Sequence, residues 1–452
     1  VGRLRAGGLR LGTLHDRHAV PLYANWNLHP VPWLPLAVLV LAGLLLLARR
    51  LVLDQRLGAV RTLLAAYASF LLVGFAVAAI DVYRKDDGSW FLPFGYAYGQ
   101  QALEYWGDVP KVERWGGPQA FLEKYGTPIY FDRLSFHSAT HPPGGVLFLW
   151  LASRPFGHAL WSAVAATVAF AGLSLAPLYL LARRLHGESA ARRALLLYLL
   201  TPNVVLFTTT SMDGPFSVFP IASLWLFYEA AHASRARSLA LGAALGAAMA
   251  CAAFLTYASC VVGLFFGLVV ALSARLDRAR VPAMVKALLV ALASFVALFA
   301  LLQLATHFQP LAALRLSIAR DREGMGTGYE SLERFVQLGL VNLLAFLLAV
   351  GLPHALLWLR ELREAAAARL EPLPRVFTAA SGLTLVVAAF STLFTAEVER
   401  IWLFLAPLVV LPAASRLDAW RERTGSDAPF YTAATLLAAQ TLVFEVVLNT
   451  RW

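Results

Sequence analysis

Glu104 and Asp108 in LEYWGDVP, His137 and His141 in SFHSATHPPGG, and Asp213 in TTTSMDGPF are ionisable groups set beside strongly apolar sequence. So are Arg315, Arg320 and Arg322 in one polar stretch, and Glu397, Glu399 and Arg400 in TAEVERIWLF. Charge this close to hydrocarbon is costly, and a chain that keeps it there generally uses it. Three kinds of chemistry are on offer: carboxylates that take a proton, guanidinium groups that clamp an anion, and imidazoles that do either.

Each group also has a plainer reading. Asp108 follows Gly107 and precedes Val109-Pro110, a turn that holds a carboxylate rigidly as a general base or lets it cap its own backbone. Glu104, four residues earlier, shares its face if the stretch is helical, or is a solvated interfacial charge. In THPPGG the prolines suit a first helical turn and Thr140 its cap, so free amides would hold an anion beside His141. The bland version is a helix start with an interfacial histidine. Asp213-Gly-Pro reads as a helix cap or as a carboxylate placed at the outer end of two antiparallel spans. Glu399-Arg400-Ile-Trp opens a late span, where arginine either snorkels or clamps a phosphate.

The elements that must position these groups are membrane helices. The 452 residues are 59% hydrophobic and only 14% charged, against about a quarter charged in soluble domains. Apolar runs long enough to cross a ~30 Å hydrocarbon core recur from Val31 to Leu448. The expectation is an all-α integral membrane protein, a polytopic bundle of about twelve spans: 31–48, 62–80, 159–182, 190–208, 214–232, 238–256, 259–274, 284–305, 334–359, 376–394, 401–415 and 429–448. One domain covers residues 1–452. The run Val31 to Ala48, followed by Arg49 and Arg50, reads as a retained span and not a cleaved signal.

The net charge of +11 fits this reading without nucleic acid, because arginines crowd the short loops. Clusters at Arg49/Arg50/Arg56/Arg61, Arg183/Arg184/Arg192/Arg193, Arg235/Arg237, Arg275/Arg278/Arg280/Lys286, Arg360/Arg363/Arg369 and Arg416/Arg421/Arg423 assign those loops to the cytoplasm. A long first outer loop (81–158), a second (307–334) and the turn Thr395 to Arg400 then face outward. The first is rich in aromatics that favour the interface, and Pro143 to Ala152 within it is a short juxtamembrane segment.

Cys251 and Cys260 sit in apolar sequence and form no metal-ligand pattern. No nucleotide fingerprint occurs, so a nucleotide donor is not indicated. No cofactor is called for, and a divalent metal finds no support, since no carboxylates in the outer segment are spaced by one residue.

Together the acidic outer loop (Glu104, Asp108), the HPPG at His141 to Gly144, RRLHG at Arg183 to Gly187, TPN followed by Asp213-Gly-Pro, and Glu399-Arg400-x-Trp402 resemble the polyprenyl-phosphate-sugar-dependent C-type glycosyltransferases. That superfamily includes protein O-mannosyltransferases and the lipid A aminoarabinose transferase. The resemblance runs from about residue 62 to 415. It implies an inverting membrane transferase whose base is an acidic residue of the first outer loop. The family's acidic pair commonly comes soon after the preceding span, where this chain has Asp81 and Asp86-Asp87.

The expected activity moves a hexosyl or pentosyl group from a polyprenyl phosphate-linked donor to an acceptor hydroxyl on a glycan, lipid or protein. Asp108 or Glu104 is the base, and His137, His141, Asp213, Arg320, Glu399 and Arg400 bind substrate. The setting is a bacterial inner or plasma membrane, with an extracytoplasmic active site that builds envelope glycan. The rivals are a transporter or flippase of lipid-linked glycans, and a glycan polymerase or ligase using a diphosphate-linked donor. Transporters bind near the bilayer midplane on broken helices, whereas the ionisable groups here lie at the outer ends of spans.

Overall fold

The computed structural model describes residues 21–22, 24–26, 29–93, 105–155, 157–369 and 371–449. Glu104 and the arginines of the first twenty residues therefore lie outside the described residues. Among the described residues the β structure is two short two-stranded ribbons: β1 (Asn25–Trp26) pairs antiparallel with β4 (Leu448–Asn449), and β2 (Tyr83–Arg84) with β3 (Trp90–Phe91). Asp86 and Asp87 sit in the β2–β3 turn, where Asp87 Oδ1 accepts from the Ser89 amide at 2.9 Å and Gly88 takes φ 80°.

The other regular elements among the described residues are helices. α1 (Leu34–Ala48) and α2 (Ala59–Ala78) precede a first outer segment of short helices: α3 (Val109–Arg114), α4 (Pro118–Tyr125), α5 (Pro128–Phe131), α6 (Phe136–Thr140) and α7 (Gly144–Ser153). The bundle continues with α8 (Leu160–Ala171), α9 (Leu175–Leu199), α10 (Pro202–Thr208), α11 (Asp213–His232), α12 (Arg235–Leu255), α13 (Cys260–Leu276) and α14 (Val281–Thr306). It closes with α15 (Pro310–Met325), α16 (Leu332–Ala349), α17 (Leu352–Ala366), α18 (Pro372–Ala389), α19 (Val398–Ile401), α20 (Pro407–Thr424) and α21 (Ala428–Val447).

Among the described residues nine helical stretches are long and apolar enough to cross a membrane, or ten if the pair Val398–Leu405 and Pro407–Thr424, bent by 63°, is one span. All twelve segments expected from sequence fall on helix. Twelve becomes nine because the stretch Leu160–Leu199, kinked at Gly187 (φ 85°), takes in parts of two expected segments, α11 is not among the nine, and the bent pair is counted apart. Leucines such as Leu46 (82% exposed) and Leu304 (76%) cover the outside, an apolar surface that only lipid satisfies.

The expected single span 334–359 is corrected to two helices. Gly351 between α16 and α17 has φ 104°, and a Cβ there would come 2.3 Å from Leu437 Cδ2. A left-handed backbone in so close a contact accepts only glycine.

Buried charge staples the arginine-rich end. Arg192 pairs with Glu188 at 2.6 Å and donates to the carbonyls of Val52, Asp54 and Leu57 and to Thr62 Oγ1. Arg193 pairs with Asp418 at 2.9 Å and Asp427 at 2.6 Å. α9 is thereby locked to the α1–α2 loop on one side and to α20 and the α20–α21 turn on the other. The opposite end of the bundle is left to the groups that carry chemistry.

Candidate active site

α11 begins at Asp213, and α19 begins after Glu397, so both helices present their first turns at one end of the bundle. Arg400 bridges them. Its Nε lies 3.2 Å from Asp213 Oδ2 and its Nη2 2.5 Å from Glu397 Oε2, with the Arg400 side chain only 8% exposed. Two carboxylates on one guanidinium offset most of the cost of burying it. Ser211 Oγ donates to Asp213 Oδ2 at 3.0 Å, which settles the carboxylate's orientation. Asp213 is the first residue of α11 and makes no capping bond, so the cap reading gives way to the ion pair.

The backbone supports this arrangement under strain. Glu397 is a non-glycine residue at φ 59° in the left-handed region, and its carbonyl accepts from the amides of Arg400 (3.0 Å) and Ile401 (2.9 Å). Such conformations cost about 1–3 kcal/mol and persist only where surroundings enforce them. Asn342 Nδ2 donates to Phe394 O at 2.8 Å, and Asn203 Nδ2 to Glu399 O at 3.2 Å. Trp402, fully buried, packs between Phe346 and Phe394. Glu399 is itself 3% exposed, so the outer turn is anchored inside the protein and does not reach into solvent.

The first outer segment lays its histidines against the same cluster. Residues Tyr105–Asp108 form a 3-10 turn, and the Tyr105 ring lies 6.0 Å from His137, 5.6 Å from His141 and 5.8 Å from Phe216 of α11. Ser135 caps α6 through its side chain and His141 ends it. The Tyr125 hydroxyl holds the end of α6, bonding the carbonyls of Ser138 and His141, the latter at 2.9 Å.

This corrects the expected helix start at THPPGG. Thr140 closes α6, with its Oγ1 donating to Phe136 O at 3.0 Å, and the following helix α7 begins at Gly144 after both prolines. Glycine is required there because a Cβ on Gly144 would meet Phe254 O of α12 at 2.1 Å. The pair of glycines thus serves close packing of α7.

His141 Nδ1 sits 3.1 Å from His137 O and 3.2 Å from Thr140 Oγ1. A carbonyl only accepts, so the proton is on Nδ1 and Nε2 carries a lone pair. Burial, the neighbouring His137 and the Arg400 charge push the His141 pKa down to about 3. A neutral imidazole with an acceptor nitrogen does not neutralise a phosphate; it accepts a hydroxyl hydrogen bond.

Asp108 is 1% exposed. Its Oδ2 accepts from the Ser135 amide at 2.8 Å, and its Oδ1 pairs with Lys111 Nζ, which also reaches Arg133 O. The carboxylate therefore clasps the 105–111 turn to the start of α6. Arg320 lies on α15, 42% exposed, with Glu323 at 3.7 Å. Arg315 and Arg322 are exposed on the same helix. What α15 does contribute is packing, through Gly324 against the Phe136 ring.

One pairing was absent from the sequence reading. His29 Nε2 lies 2.6 Å from Asp81 Oδ1, with Asp81 fully buried just past the end of α2. Asp81 closing an apolar run was a readable signal, but nothing in sequence spacing joins it to His29.

Against known proteins, the family model described as dolichyl-phosphate-mannose-protein mannosyltransferase matches residues 140–300, about a third of the chain. No curated protein matches in sequence. In structure, the chain is similar to the oligosaccharyltransferase of Archaeoglobus fulgidus in its apo form, with TM-score 0.54 and 13% identity over 85% of this chain and 56% of that one. The same enzyme with Zn and sulfate gives TM-score 0.52 and 15% identity, over 83% and 53%. ArnT from Cupriavidus metallidurans gives TM-score 0.47 and 17% identity, over 79% and 62%. This chain thus spans little more than half the length of the oligosaccharyltransferase it matches. The family match covers the middle of the chain, and the likeness to the oligosaccharyltransferase, over most of it, is one of fold.

Proposed function

We propose that this chain is a membrane glycosyltransferase that moves one sugar from a polyprenyl phosphate-linked donor to an acceptor hydroxyl, with inversion at the anomeric carbon, on the face opposite the arginine-rich loops. The observation that carries the reading is the buried Arg400 held by Asp213 and Glu397, with His141 and Tyr105 of the first outer segment closing over it. The mannosyltransferase family match and the oligosaccharyltransferase-like fold support the reaction class.

Lipid phosphate is already an anionic leaving group and needs no general acid, so the protein has two tasks. Arg400 receives the phosphate charge in exchange for its pair with Glu397, and Asp213 keeps the planar guanidinium aimed. A carboxylate of the first outer segment takes the proton as the acceptor oxygen attacks. Asp108 is assigned that task, with Glu104 four residues earlier as its alternate. A second assignment rests on one observation: Asp81 is buried at the outer end of α2 against His29, an acid–imidazole pair of the kind that holds a proton. The scheme uses no cofactor, and the acceptor is a glycan, lipid or protein hydroxyl.

The test is transfer in proteoliposomes loaded with polyprenyl monophosphate donors of several sugars, reading release of free polyprenyl phosphate. A productive donor among them, silent with Arg400→Ala, supports the reading. Turnover of diphosphate-linked donors alone would move the chain to the polymerase or ligase class, and donor movement across the bilayer without hydrolysis or transfer to the flippases.

A further inference from the structure

The arginine-rich end of the bundle holds a cavity of about 360 Å³ lined by Arg360, Arg363, Glu364, Ala367, Arg369 and Arg416. Four guanidinium groups face a single lining carboxylate. α17 supplies the first three charged residues, the turn after it supplies Arg369, and Arg416 comes from the second half of α20. α18 runs from this end towards the Asp213–Arg400 site, and its 18 residues put roughly 27 Å between the two.

The charge balance sets this cluster apart from its neighbours. Arg192 and Arg193 are consumed by Glu188, Asp418 and Asp427, Arg237 has Glu229, and Arg280 has Asp277. In the cavity, Arg416 reaches Glu361 at 3.4 Å and Glu364 at 3.9 Å, and Arg369 reaches the same Glu364 at 3.4 Å. Those two carboxylates are thereby spent. The side chains of Arg360 and Arg363 are exposed and have no ion pair or hydrogen bond with any described residue. Arg416 Nε is buried and has no acceptor either.

An excess of planar donors around a concave space selects an anion with several oxygens, which is the geometry of phosphate. The flanks say where that phosphate comes from. Leu352, Leu356 and Leu359 of α17, the helix bearing Arg360 and Arg363, are 51%, 62% and 48% exposed, a lipid-facing stripe leading up to the charges. Acyl chains along such a stripe bring a headgroup to the cavity, and basic pockets between helices at the loop side of a bilayer are suited to anionic headgroups.

We infer that the Arg360/Arg363/Arg369/Arg416 cavity binds the phosphate headgroup of an anionic membrane phospholipid, a site separate from the proposed transfer centre and independent of that reading. Purified full-length protein in nanodiscs tests it. Native mass spectrometry after mixing phosphatidylglycerol with phosphatidylcholine should show retained phosphatidylglycerol in preference by tenfold or more. Arg360→Gln with Arg363→Gln should lose most of that preference, whereas Arg235→Gln with Arg237→Gln, equal in charge removed but away from the cavity, should keep it. A preference equal in the two double variants would overturn the inference. For wild type alone, thermal stabilisation should follow phosphatidylglycerol; stabilisation by millimolar inorganic phosphate to the same extent would overturn the assignment to lipid, and no stabilisation by either would overturn the site.

Discussion

Arg400 Nε and Asp213 Oδ2 lie 3.2 Å apart, joining the first turn of α11 to the start of α19 inside the protein. A buried pair of this kind is a weak source of stability when intact but a strong liability when broken, because the survivor keeps its charge without its partner. Asp213→Asn should therefore destabilise the protein by about 3 kcal/mol at most, the remaining Glu397 limiting the loss. Arg400→Lys keeps the charge and loses the fork, so transfer should fall at least tenfold with insertion intact, and Arg400→Ala should fall further. Full activity in Arg400→Lys, measured per folded molecule in proteoliposomes, would reduce Arg400 to a structural clasp.

Asp108 serves two ends, and one substitution separates them. Asp108→Asn retains size and the bond from the Ser135 amide but gives up proton acceptance and the Lys111 ion pair. Transfer should drop roughly 10²-fold or more, beyond any change in the folded fraction. If the thermal midpoint falls while transfer per folded molecule is kept, the base lies elsewhere. Asp81→Asn and Glu104→Gln, assayed alongside, then identify which carboxylate replaces it, and His29→Gln should phenocopy Asp81→Asn if that pair acts together.

The helical, membrane-spanning character was legible because it rests on composition and on runs of apolar residues, both local properties. Asp213 and Arg400 were also legible, as charges at span ends. Their contact was not, since it depends on α11 and α19 meeting across the bundle. THPPGG misled for a physical reason: prolines and glycines at a helix start serve an anion cradle and a close helix contact equally well. Only the approach of Phe254 O to Gly144 tells the two apart. Arg320 was legible as a charge in the second polar stretch, but its pairing with Glu323 three residues on follows only once α15 is known to be a helix.

Burial of His141 has a consequence in pH. Its pKa of about 3 when folded lies below the ordinary 6.5, so between those values the unfolded chain binds a proton that the folded chain refuses. Its contribution is neutral above pH 6.5 and increasingly destabilising as pH falls towards 3. His141→Gln removes this term. Thermal unfolding in detergent from pH 8 to pH 4 should show a shallower loss of stability in the variant than in wild type, and parallel curves would mean that His141 is protonated in the folded protein. Because the imidazole is neutral throughout this range, it should add no limb near pH 6.5 to the activity profile.

The side of the membrane is the remaining test, and it bears on every functional claim. With arginine-rich loops on one end and the Asp213–Arg400 cluster on the other, the prediction is that the segment 81–158 faces away from the cytoplasm. Ser89 in the β2–β3 turn and Glu123 on α4 are exposed, so a cysteine at either fits without strain; Gly117, at φ 93°, would not accept one. In a background where Cys251 and Cys260 are replaced, Ser89→Cys and Glu123→Cys should react with an impermeant thiol reagent in intact cells. A cysteine at Arg278, in the loop between α13 and α14, should react only after permeabilisation. The opposite pattern would invert the bundle, put the arginine cavity outside, and require a donor that faces the cytoplasm.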